Sequence, residues 1–129
     1  MEAEETYGSF RLSCRRPEWD VVVVDIVGDL DLQTVPQTQA FLRHATARCP
    51  RHLLVDLSQV TFLSSSGISL LVGFGKAQPD LDTRLHLVGA RENPQVARPL
   101  ALLGLLDHFD TAPDVDACTA RLHGGSGER

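Results

Sequence analysis

Three hydroxyls stand in a row at Ser64, Ser65 and Ser66, followed by Gly67 and an apolar spacing of Ile68, Leu71, Val72 and Gly75. That spacing is helical, so the serines fall where a helix begins. A hydroxyl there can cap the free N–H groups of the first turn. It can also accept a phosphate, whose two or so negative charges the helix N-terminus favours by ~0.3–2 kcal/mol. A third option, a catalytic nucleophile, needs a base and an oxyanion hole. The G-x-S-x-G elbow is missing, and no histidine is delivered to the same place, so no enzyme activity is expected. Two carboxylates, Asp29 and Asp31 in "GDLD", are the other candidates. "GFGK" at 73–76 lacks P-loop spacing and reads as helix packing. His86 and His108 read as structural residues of strands, and Cys14, Cys49 and Cys118 as small core side chains.

The elements that must position these residues alternate along the chain. Phe10, Leu12 and Cys14 alternate with polar residues and predict a strand, and "RPEWD" predicts a turn with a partly exposed Trp19. "VVVVDIV" at 21–27 and "HLLVDLS" at 52–58 are β-branched or apolar runs expected of strands covered on both faces. Between them Thr34, with Gln37 three residues on and Pro36 in the first turn, predicts a capped helix burying Phe41, Leu42, Ala45 and Cys49 and ending at Pro50. The helix after the serines should reach about Gln78. "RLHLVG" at 84–89 predicts a strand, and Asn93 and Pro94 open a helix with Val96, Leu100 and Leu103 inward. A short strand around Phe109 and a last helix, capped by Asp114 and burying Val115, Cys118 and Leu122, complete the pattern.

This order predicts an α/β sandwich: a mostly parallel sheet of four to five strands, an antiparallel edge strand and about four helices. The domain is expected over 8–122, with 1–7 and 123–129 as flexible termini. Right-handed crossovers send the loop after Val27 and the loop after Leu57 to the same carboxyl edge of the sheet. Asp29 and Asp31 are therefore expected beside the three hydroxyls.

Composition narrows the partners. A net charge of −5 with no Lys/Arg cluster argues against nucleic acid. Three scattered cysteines without C-x-x-C suit reduced thiols, and the five histidines show no ligand pairing, so neither a metal nor another cofactor is expected. The start, MEAEETYG, has no apolar h-region, and no apolar run is long enough to span a bilayer. A cytoplasmic protein away from the membrane is expected.

The stretch "LLVDLSQVTFLSSSGISLL", together with "VGDLDLQTVPQ" and "VARPLALLGLLDHF", resembles the anti-sigma factor antagonists of the STAS-domain family. The resemblance covers about 8–122. It implies a STAS-type fold and a binding module rather than an enzyme. Its expected partner is an anti-sigma factor that is also a serine kinase of the histidine-kinase-like ATPase type. Binding would free a sigma factor; phosphorylation by the kinase, with ATP and Mg²⁺, would end the interaction, and a PP2C-type phosphatase would restore it. Aligned on Gly67, the resemblance puts the acceptor at Ser66, with Ser65 as the alternative. Asp31 matches the family aspartate beside the acceptor, and Asp29, Ser64, Ser65, Gly67 and Ile68 are the expected partner-binding residues. The family carries Asp where this chain has Ser64. STAS-like domains also serve as scaffolds in stress-signalling complexes or beside lipid-transport ATPases, which is the alternative function.

Overall fold

Val21 to Val24 are all essentially inaccessible, so β3 (Val21–Leu30) is covered on both faces, as its unbroken β-branched run requires. Its even-numbered side chains, Val22, Val24 and Ile26, enter the larger core. Its odd-numbered ones, Val21 and Val23, enter a smaller core on the opposite face. The rest of the fold follows from covering those faces.

The computed structural model describes residues 2–76 and 82–127. Among them one sheet has six strands in chain order: β1 (Ala3–Tyr7), β2 (Phe10–Glu18), β3, β4 (His52–Leu63), β5 (Arg84–Val88) and β6 (Asp110–Ala112). β1–β2 and β2–β3 pair antiparallel, and β3–β4, β4–β5 and β5–β6 pair parallel. Helices α1 (Val35–Ala45), α2 (Ser65–Lys76) and α3 (Pro94–Leu102) bury Phe41, Leu42, Ile68, Leu71, Val96 and Leu100 in the larger core. Helix α4 (Val115–Gly127) covers the other face through Cys118, with Val115 and Leu122 packed against it.

Several expectations are corrected. The sheet has six strands rather than four or five, because residues 3–7 form β1 against β2 instead of a loose terminus. The backbone of α4 continues to Gly127, so the glycine-rich stretch after Leu122 extends the helix. β4 runs on to Leu63, right up to the serines. α1 stops at Ala45, and Cys49 lies beyond it, exposed and with a positive φ of 52°, rather than on the buried face. Leu103 follows α3 and is 60% exposed instead of inward, and Trp19 at the β2–β3 turn is 74% exposed. His108 lies in a 3-10 turn (Leu106–His108) rather than in a strand. The expected end of α2 at Gln78 lies outside the described residues.

Candidate functional site

The carboxyl ends of β3 and β4 lie side by side, with Asp29 in register with Phe62 and Leu30 with Leu63. The chain then turns directly into α2. Ser64 makes the junction: its N–H and its hydroxyl both donate to the Leu30 carbonyl, at 3.0 and 3.2 Å. The same hydroxyl accepts from the Gly67 N–H at 3.2 Å, and the Ser64 carbonyl accepts from the Ile68 N–H at 2.9 Å. Ser64 is thus the N-cap of α2, satisfying one of the free donors of the first turn. An aspartate in the same place would supply the same acceptor, so the departure from the family pattern keeps the cap.

Gly67 is buried rather than leaving open backbone. A Cβ there would stand 2.8 Å from the Leu30 carbonyl oxygen and 2.8 Å from Leu63 Cδ1. The glycine allows the first turn of α2 to pack on the end of β3, and this close approach fixes which serine points where. Ser65 is exposed, Ser66 is half-buried and Ile68 is buried. Ser65 also stands on the rim of a groove of about 390 Å³, lined by Ile68, Ser69, Val72, Gly73, Leu103 and Leu105. The exposed Leu103 is part of that wall. Periodicity assigned Leu103 inward, so nothing in the sequence marked it as a surface residue.

The two aspartates reach the same edge but do separate jobs. Asp29 accepts from the Thr61 hydroxyl at 2.5 Å, linking β3 to β4 just before the serines. Asp31 accepts from the N–H groups of Gln33 and Thr34 at 2.9 and 3.2 Å, closing the turn into α1. Thr34 makes no side-chain cap bond to the helix; its hydroxyl donates back to the Asp29 carbonyl at 2.8 Å. Among the described residues, neither carboxylate bonds to Ser64, Ser65 or Ser66. Topology brings the groups to one rim, and Asp31 is a turn-former there.

Asn93, which local sequence pattern marks only as a helix cap, also serves this rim. Its amide donates to the Leu57 and Val60 carbonyls, at 2.9 and 2.8 Å, where β4 breaks register. Its carbonyl oxygen accepts from the Gln95 N–H at 3.1 Å and caps α3. It therefore holds the irregular stretch of β4 that leads to the serines.

Among the described residues no helix is long and apolar enough to cross a membrane. Residues 16–118 match the STAS domain family. An anti-sigma-B factor antagonist of Staphylococcus aureus is 30% identical over 95 residues, covering 72% of this chain and 86% of that protein. An anti-sigma factor antagonist of Mycobacterium paratuberculosis superposes with a TM-score of 0.70 at 30% identity, over 87% of this chain and 93% of that one. The anti-sigma factor antagonist SpoIIAA in its unphosphorylated form shares the fold at a TM-score of 0.71 and 22% identity, over 88% and 96%. The match over most of the chain, on a sheet and helices arranged in the same way, makes this protein a member of the STAS domain family.

Proposed function

We propose that the protein is an anti-sigma factor antagonist that docks an anti-sigma factor around the start of α2 and lets go when a serine there is phosphorylated. The observation that carries this reading is the exposed Ser65 on the first turn of α2, at the rim of the groove walled by Ile68, Val72, Leu103 and Leu105. The name of the Staphylococcus aureus relative supports the partner class.

Exposure separates the two possible acceptors. A kinase must bring ATP in line with the hydroxyl, which favours the exposed Ser65 over the half-buried Ser66. Ser64 is occupied as the cap. A phosphate on Ser65 would meet the unpaired N–H groups of the first turn, so the fold tolerates it. A partner seated over the groove would not, because its apolar contacts would have to bury a dianion. A hundredfold loss of affinity corresponds to ~2.7 kcal/mol, within reach of one such charge. In this reading the kinase is the anti-sigma factor itself, of the histidine-kinase-like ATPase type, and supplies ATP and Mg²⁺. A PP2C-type phosphatase reverses the reaction, and Asp29 and Ile68 frame the docking rim. This chain contributes the acceptor and the surface.

The test is a paired capture from native extract with wild type, Ser65→Ala and Ser65→Asp, followed by intact mass measurement. Wild type and Ser65→Ala should retain an anti-sigma factor carrying a kinase domain, and Ser65→Asp should not. Recovered wild type should show an adduct of about 80 Da that Ser65→Ala lacks and Ser66→Ala keeps. Retention of the same partner by all three chains, or an adduct that disappears only in Ser66→Ala, would contradict the assignment.

A further inference from the structure

The opposite edge of the sheet, at the amino ends of the parallel strands, holds a second group of side chains. β2 ends at Glu18, the turn carries Trp19 and Asp20, and α4 brings His123 to the same place from the far end of the chain. One carboxylate oxygen each from Glu18 and Asp20 and one imidazole nitrogen of His123 lie within 4.8 Å of one another. His123 Nδ1 is 3.3 Å from Glu18 Oε2. Donors on a tetrahedral zinc with bonds of ~2.0–2.1 Å are separated by ~3.3–3.4 Å, so this pair already has the spacing of two ligands.

The donor set points the same way. An ion pair accounts for Glu18 and His123, but one imidazole carries at most one positive charge against two carboxylates. Asp20 adds a second carboxylate oxygen within reach of that pair, and the Arg51 guanidinium stands nearby over the Trp19 ring. Mixed carboxylate and imidazole donors suit a first-row transition ion, whereas calcium and magnesium take oxygen alone.

We propose that Glu18, Asp20 and His123 bind one divalent transition ion of the zinc class, which ties α4 to the β2–β3 turn. The site lies across the sheet from Ser65, so it stands or falls apart from the antagonist reading. α4 covers the smaller core, so the bound ion holds that cover in place and stabilises the folded chain by mass action.

Trp19, the chain's single tryptophan, sits between two of the ligands in sequence and reports on the site. Tag-free full-length protein is titrated with Ni²⁺ while tryptophan fluorescence is followed, then with Zn²⁺ as competitor, and melting temperature is measured with and without Zn²⁺. The expected result is quenching that saturates at one equivalent, reversal by Zn²⁺ and a higher melting temperature with Zn²⁺. His123→Ala and Glu18→Gln should each weaken binding at least about tenfold, and His108→Ala, an exposed histidine elsewhere, should leave it unchanged. Quenching that never saturates, or that survives in both His123→Ala and Glu18→Gln, would mean a plain ion pair and overturn the site.

Discussion

At the scale of single residues, three identical side chains have three different environments. Ser64 is bonded on both sides, Ser65 is open and Ser66 is half-buried. Ser64→Ala removes the cap and should cost ~0.5–2 kcal/mol, whereas Ser64→Asp should recover the cap but not the hydroxyl's bond to the Leu30 carbonyl, as read by urea unfolding. Gly67→Ala should cost ~1–3 kcal/mol in the same assay, since the obstructing atom is the backbone carbonyl of Leu30 and cannot rotate away. The sequence pointed clearly to this tripeptide. It could not rank its members, because a shift of one residue in the helix start exchanges cap and exposed position, and boundaries are the least legible feature of a helix. What fixes the start is the contact between Gly67 and Leu30, residues distant in sequence.

At the scale of elements, the buried strands and amphipathic helices were legible because apolar periodicity is a direct record of burial. β1 was not. Only Ala3 among its five residues is even half-buried, so the strand is held by backbone pairing with β2 and leaves no alternation to read. The early end of α1 was hidden for a related reason: Cys49 repeats the apolar spacing, but the chain has already left the helix. Asn93 shows how elements cooperate, since it caps α3 and pins the break in β4 with one amide group. Asn93→Ala should destabilise by ~1–3 kcal/mol, and Asn93→Asp should recover only the cap, because a carboxylate cannot donate to the Leu57 and Val60 carbonyls. Chemical denaturation of the two variants side by side separates those contributions.

At the scale of the whole molecule, the sheet divides the protein into a carboxyl edge, where we place the docking surface, and a far edge with different chemistry. The far edge holds a pH-sensitive histidine. Burial pushes His86 down to about 4, against the opposing pull of Asp110, whose Oδ2 is 3.1 Å from His86 Nδ1. The unfolded chain takes up that proton near 6.5, so between about 4 and 6.5 it binds more protons than the folded one, and stability rises with pH across that window. Unfolding midpoints measured from pH 4 to 7 should show this rise for wild type and a flatter profile for His86→Gln. The proposed docking edge should answer to surface changes instead. Leu103→Glu should leave stability within about 0.5 kcal/mol, since the side chain is mostly exposed, while weakening capture of the anti-sigma factor. That edge was legible only as topology: two loops meeting at the carboxyl ends of β3 and β4. The apolar wall of the groove there depends on Leu103 leaving the end of α3, which helical spacing alone assigns to the core.

The most direct test of the antagonist reading is the equilibrium affinity of wild type, Ser65→Ala and Ser65→Asp for the captured anti-sigma factor, measured by calorimetry at one salt concentration. Wild type and Ser65→Ala should agree within a few-fold, and Ser65→Asp should bind about a hundredfold more weakly, a difference of ~2.7 kcal/mol. Equal affinities for all three chains would contradict a docking surface controlled by charge at Ser65.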